Sequence, residues 1–270
     1  MDRPRALTIA GSDPSGGAGL QADLVTMAAF RVLGCSAVTA ITVQDSVEVR
    51  RRFDLPPELV AEQIDAVMGD VGACAVKTGM LPTPAIVSAV SEAVDRHGMR
   101  NVVVDPVLRS SSGSPLTAEG VDAAIRELLL PRSLVVAPNL AEAAALTGLD
   151  VGTVAEMEDA ARALRDLGAR RVLIKGGHLD GPPIDVLYDG ERLSRLPGER
   201  IPGPERHGTG CTLSAAIVAG LARGWDLGVS IERARRYLRE AIRSSTATRR
   251  GGEFLDHFVG VSGEGEGDQP

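Results

Sequence analysis

Cysteine is scarce and scattered in this 270-residue chain: Cys35, Cys74 and Cys211 stand far apart and form no CxxC pair. That excludes a disulfide framework and a structural zinc site. The four histidines show no metal-ligand spacing. Positive charge is not in excess: 29 Lys and Arg against 36 Asp and Glu leave a net charge of -7 and a pI near 5.2. No global field exists to gather nucleic acid or an anionic membrane. No stretch approaches the roughly 18 apolar residues of a membrane span, and the apolar run after residues 1–5 is too short for a secretory signal. A small-molecule partner and a reducing cytoplasm are therefore expected. Internal repeats and Pro/Ser-rich linkers are missing too. With 44% hydrophobic residues, the chain can bury a large core, expected as one domain over residues 1–260. The Gly-, Glu- and Asp-rich tail 261–270 has almost nothing to bury and is expected to be disordered.

Short apolar runs at 6–11, 37–44, 74–79, 102–107, 134–139 and 172–177 are bounded by Gly, Pro or Asn. Apolar throughout rather than alternating, they suit parallel strands covered on both faces. Helical spacing fills 21–30, 58–68, 85–96, 118–129, 140–147 and 155–167. A βα repeat of this kind predicts an α/β fold with a doubly wound, mostly parallel sheet, whose ligands bind beyond the carboxyl ends of the strands. Residues 185–189 and 192–197 then read as a hairpin, and helices at 212–222 and 231–247 close the chain. Arg50-Arg51-Arg52 reads as a solvated edge.

Three clusters lie where the chemistry is expected. Gly11-Ser12-Asp13-Pro14-Ser15-Gly16-Gly17-Ala18-Gly19 joins the first strand to a helix. Its glycines let the backbone approach a ligand, and the helix start behind it favours electronegative groups. It is neither a GxxxxGK[ST] loop nor a GxGxxG fingerprint. His207-Gly208-Thr209-Gly210-Cys211-Thr212 precedes another helix, so successive backbone N–H groups of Gly208, Thr209 and Gly210 converge on a point suited to developing negative charge. The same helix start is expected to lower the thiol pKa of Cys211, making it a base or polar contact for a substrate hydroxyl. Third, Asp105, Asn139 and Glu142 follow predicted strand ends. The two carboxylates suit Mg2+ held through water with nucleotide phosphates, although Asn139 and Glu142 equally spell a helix cap and capping box. Lys175, at another strand end, is either a phosphate contact or simply solvated. Gln44 offers a donor and an acceptor to a heterocycle edge, or else caps its strand.

Taken in order, 10–19, 39–44, 77–81, 103–107, 138–142, 175–179 and 207–214 resemble the hydroxymethylpyrimidine/phosphomethylpyrimidine kinases of thiamin biosynthesis, with similarity from Leu7 to Phe258. The resemblance implies a ribokinase-like fold without a separate lid domain, ATP and Mg2+ as cosubstrates, two successive phosphorylations and a homodimer. It makes Gln44 a pyrimidine contact and Asp23, Gly11, Ala18, Met80 and Val107 pocket neighbours. Cys211 takes the place of the aspartate base of ribokinase relatives. Asp105 and Glu142 become the metal-side carboxylates, and Asn139, Lys175, Thr209 and Gly210 the nucleotide-side contacts.

The chain departs from the family pattern at Gln44-Asp45-Ser46, in the lysine missing from Val107-Leu108-Arg109-Ser110-Ser111-Ser112-Gly113, and at Pro204-Glu205-Arg206. These departures bear on substrate and rate more than on reaction class. Pyridoxal kinase or a dual-specificity relative is the nearest rival, and Gln44 favours the pyrimidine over it. A catalytically silent pyrimidine-binding protein is opposed by the intact Asp105, Lys175 and Gly208–Cys211. A Rossmann oxidoreductase lacks its glycine fingerprint and ribose carboxylate.

Overall fold

Valine and alanine dominate the central strands because side chains on both faces must be covered by helices. The computed structural model describes residues 3–109, 115–204 and 206–260, so the tail 261–270, Ser110-Ser111-Ser112-Gly113 and Glu205 lie outside them. In chain order the elements are β1 (Arg5–Ser12), α1 (Gly19–Ala29), β2 (Leu33–Gln44), β3 (Val49–Asp54), α2 (Pro57–Asp70), β4 (Ala75–Thr78), α3 (Pro84–Arg96) and β5 (Val102–Val104). There follow α4 (Val121–Ala124), β6 (Val135–Val136), α5 (Leu140–Thr147), α6 (Val154–Asp166), β7 (Val172–Ile174), β8 (Ile184–Tyr188) and β9 (Leu193–Pro197). The last are β10 (Arg206–His207), α7 (Thr209–Ala222), α8 (Leu227–Arg243), β11 (Thr246–Ala247) and β12 (Glu253–Phe254).

The nine-stranded sheet runs β3-β2-β1-β4-β5-β6-β7-β8-β9. Strands β2, β1, β4, β5, β6 and β7 pair in parallel in that order, and the β2–β3, β7–β8 and β8–β9 pairs at the two margins are antiparallel. The chain passes from β1 to β2 on one side and later to β4 on the other. The carboxyl ends of β1, β2 and β4 therefore flank a topological switch point, where a crevice opens. One core on the α2–α6 face includes Leu7, Ile9, Ile64, Ile86 and Leu164. The other, against α1, α7 and α8, includes Ala6, Met27, Val103, Ile217 and Ala234.

Several boundaries differ from the expected ones. The runs at 102–107 and 134–139 end early, at Val104 and Val136, because Pro106 and Pro138 cannot donate to a ladder. The helix expected over 118–129 is α only at Val121–Ala124, then widens to a π turn and closes in a 3-10 turn containing Pro131. The last helix starts at Leu227, where Asp226 accepts from Val229 N at 2.8 Å, and stops at Arg243. Thr246–Ala247 instead joins a small sheet with Phe254 and His207, which the local pattern does not predict.

Candidate active site

One glycine of the crevice is obligatory and a second is closely packed. A Cβ on Gly11 would strike the Met80 side chain, and one on Gly208, whose φ is 84°, would overlap the Gly17 carbonyl. The loop after β1 and the turn before α7 are thus packed backbone to backbone, which only glycine allows. Gly208 is the left-handed cap residue of α7, leaving the N–H groups of Thr209, Gly210 and Cys211 without helical acceptors. Free donors at a helix start, with the dipole behind them, suit a bound anion.

Asp105 follows β5 directly and is buried. Its Oδ1 accepts from Lys175 Nζ at 2.8 Å and its Oδ2 from Ser214 Oγ at 2.9 Å. Lys175 is thereby paired rather than freely solvated. A Cβ on Gly210 would lie 3.2 Å from Lys175 Nζ, so the ammonium borders the anion loop. Asn139 caps α5 through the Glu142 N–H, and Glu142 Oε2 accepts from Asn139 N at 2.8 Å, completing a capping box. The capping reading of that pair therefore holds, and Glu142 also lies 3.9 Å from Lys175.

Burial pushes the Glu142 carboxyl up to about 7, with Lys175 opposing and Asp105 reinforcing the shift. A carboxyl raised in the folded state stabilises the protein fully below its ordinary pKa, and that contribution is lost as pH rises toward 7. Glutamine can still form the capping box. The melting temperature of Glu142→Gln relative to the parent should therefore climb from about pH 5 to about pH 8. A difference independent of pH across thermal melts in that range would refute the placement of this carboxyl.

Cys211 is half-buried, and its thiol runs against expectation. Burial, with Asp23 and Asp105 adding to it, pushes the thiol up to about 11, although Lys77 and the Gly19 N–H favour the thiolate. The helix start is outweighed. Asp23, expected to border the substrate, is instead wholly buried: Lys77 Nζ donates to its Oδ2 at 2.9 Å and Thr8 Oγ1 at 2.6 Å. Its charge needs a partner more than a view of solvent. Met80 and Val107 meet Ala40 and Leu116 in an apolar wall beside Gly11, and Ala18 N donates to Asp13 Oδ2 at 3.0 Å. Gln44 Nε2 lies 2.9 Å from His207 Nε2, which lies 3.0 Å from Asp13 Oδ2. The sequence reading gave no role to Asp13, His207, Ser214 or the Lys77 partnership, although Asp13 lies within the glycine loop and His207 opens the second cluster.

The phosphomethylpyrimidine kinase family model matches residues 13–255. A hydroxymethylpyrimidine/phosphomethylpyrimidine kinase of Rhizobium meliloti is 48% identical over 239 residues, covering 88% of this chain and 90% of that protein. Among solved structures, a Bacillus subtilis pyridoxal kinase in complex with ADP superposes with a TM-score of 0.88 at 37% identity, over 96% of this chain and 98% of that one. A Clostridium difficile phosphomethylpyrimidine kinase gives a TM-score of 0.80 at 37% identity, over 88% of this chain and 99% of that one. The doubly wound sheet is thus the ribokinase-like fold that the sequence implied, and, on the match across residues 13–255, the chain belongs to the phosphomethylpyrimidine kinase family.

Proposed function

We propose that this kinase transfers the γ-phosphoryl group of ATP to the hydroxymethyl oxygen of 4-amino-5-hydroxymethyl-2-methylpyrimidine and then phosphorylates the monophosphate to the diphosphate. The observation that carries this reading is one crevice in which an amide able to meet a heterocycle, Gln44, faces an anion-binding helix start bearing Cys211. The apolar wall of Met80 and Val107, with Gly11 and Ala18, suits a flat ring. Thr209 and Gly210 N–H groups, Lys175 and Asn139 stand on the nucleotide side. The substrate oxygen attacks the γ-phosphorus, the bond to the bridging oxygen breaks, and the hydroxyl proton passes to the Cys211 sulfur as thiolate. Because transfer is loose, that proton is needed by no base until late in the step.

Among the described residues no group of three or more His, Cys, Asp or Glu is arranged to hold a metal. The donor set suits Mg2+ that arrives with the triphosphate and keeps its waters, with Asp105 and Glu142 as the carboxylates on that side. When bound, Mg2+ neutralises phosphate charge where transfer occurs. A homodimer is the assembly we favour. Its support is the exposed apolar face of the β2–β3 hairpin, where Ile41 and Phe53 are register partners at 52% and 61% exposure. Among the described residues no helix is long and apolar enough to cross a membrane, and Cys35, Cys74 and Cys211 are free thiols. The free thiols support a cytoplasmic location.

The similarity to a pyridoxal kinase structure keeps phosphorylation of pyridoxal as a second reading. Steady-state assays with hydroxymethylpyrimidine, its monophosphate and pyridoxal at saturating ATP separate the two. Gln44→Leu should lower kcat/KM for both pyrimidines by roughly tenfold to a hundredfold, because an amide lost from a ring edge leaves the substrate's polar groups unpaired. KM for ATP should hold, and pyridoxal should suffer less. A parent enzyme that prefers pyridoxal overturns the pyrimidine reading, and one that turns over none of the three is a binding protein.

A further inference from the structure

We propose that His207, held by Asp13, fixes the direction in which the Gln44 amide faces the crevice, and so sets the preference for an aminopyrimidine edge. The proposal rests on the reading that Gln44 meets the substrate ring.

Asp13 is buried, and its Oδ1 accepts from Ser15 N at 2.9 Å and Ser15 Oγ at 2.7 Å. Burial pushes its carboxyl up, but the hydrogen bonds from His207 and Ser15 outweigh this and hold it below its ordinary value. An ionised carboxylate only accepts. The proton between Asp13 Oδ2 and His207 Nε2, 3.0 Å apart, therefore sits on the histidine. A nitrogen that carries this proton cannot accept another. The end of the Gln44 amide that lies 2.9 Å away must then be its oxygen.

The opposite end of the amide gives an independent check. It lies 3.3 Å from Thr42 Oγ1, whose proton goes to the Ser12 carbonyl at 2.9 Å. Thr42 can only accept from Gln44, so that end must be the nitrogen. The two ends of a side-chain amide are told apart by their partners alone, and both partners demand the same orientation: oxygen toward His207, nitrogen toward Thr42. The reverse sets two donors face to face at His207, whereas the assigned orientation lets the single Nε2–H be shared between two acceptors, Asp13 Oδ2 and the Gln44 oxygen. With the amide so fixed, one Gln44 N–H and one oxygen lone pair remain for the crevice, side by side. A ring nitrogen next to an exocyclic amino group supplies the matching acceptor and donor. Asp13 itself is anchored in the glycine loop by the Gln21 side chain, whose Oε1 accepts from Asp13 N at 2.9 Å, so the orientation is set by the loop that forms the crevice.

The test is a double-mutant cycle on the full chain. His207→Phe keeps a ring against Phe254, 6.5 Å away between centroids, but removes the N–H. It should raise KM for hydroxymethylpyrimidine about tenfold, the value of one hydrogen bond that is no longer preset. KM for ATP should not move, and the preference over pyridoxal should shrink by the same factor. Within Gln44→Leu, His207→Phe should add nothing further. Asp13→Asn, which frees the histidine, should reproduce the rise, and His207→Gln should restore part of the parent KM. If Gln44→Leu is itself harmless, the pyrimidine reading falls and this proposal with it. If Gln44→Leu is damaging but the His207 effect is absent or simply additive, only the orienting role is overturned. Should His207→Phe fail to fold, the same cycle with Asp13→Asn decides between these outcomes.

Discussion

Cys211→Ala should lower kcat by about a hundredfold or more while leaving the fold and KM for ATP close to the parent, the usual weight of a proton-transfer group. The thiol lies within the first turn of α7, beside the N–H donors that receive the transferred charge. Alanine removes one sulfur from a half-buried position, too little to collapse the surrounding core. Because burial holds the thiol up to about 11, only a small fraction is thiolate at neutral pH, and that fraction grows as pH rises. The parent kcat should therefore increase from about pH 7 to about pH 9.5, and the alanine variant should lose both the rate and the slope. Serine at 211 separates two roles. It keeps a hydrogen-bond partner for the substrate hydroxyl but ionises far less readily, so Cys211→Ser should be nearly as slow as alanine. A serine variant at the parent rate would make the sulfur an orienting contact, and an alanine variant within about threefold of the parent would remove it from the chemistry altogether.

The raised thiol also marks where sequence reasoning stops. Spacing alone brought out the glycine loop, the carboxyl-end positions of Gln44 and Asp105, and the Gly208 turn, because each is a local pattern of strand, glycine and helix. The capping box of Asn139 and Glu142 is likewise spelled three residues apart. What was hidden depends on partners far away in the chain. Lys77 meets Asp23 across 54 positions, and His207 meets Gln44 and Asp13 across 163 and 194. The helix start at Cys211 is visible locally and argues for a low pKa. The burial and the two carboxylates that reverse the sign arrive from other elements of the fold. Asp23 became a pocket neighbour through the family resemblance alone: its place in a helix after the glycine loop is visible, but the lysine beneath it is not.

That lysine should give the largest stability effect in the molecule. Lys77 is fully buried, and its ammonium donates to Asp23 Oδ2 at 2.9 Å. Thr8 is the other donor to that oxygen, and Asp23 Oδ1 has no hydrogen-bond partner among the described residues. Lys77→Met keeps most of the side-chain volume but strands a carboxylate in a low-dielectric core, which costs about 3–5 kcal/mol. For a chain of this size that is a fall in Tm on the order of 10 °C. The loss should depend on pH in a definite sense. Burial already pushes the Asp23 carboxyl above its ordinary value, with Lys77 and Thr8 pulling it back, and removing the lysine raises it further. A carboxyl raised in the folded state contributes its stability below its ordinary pKa and loses it as pH rises through the folded value. Lys77→Met should thus approach the parent at acid pH and fall away from it toward neutrality. The double variant Lys77→Met/Asp23→Leu has no stranded charge, so it should recover most of the lost stability, since a buried pair is often matched by apolar residues of similar volume. A single variant melting within about 3 °C of the parent at neutral pH, or a double variant no more stable than the single, would mean that the pair is not what holds α1 against β4. Recovery of stability in the double variant without recovery of turnover would give the ammonium a second role, as the positive charge that favours the Cys211 thiolate from beneath the anion loop.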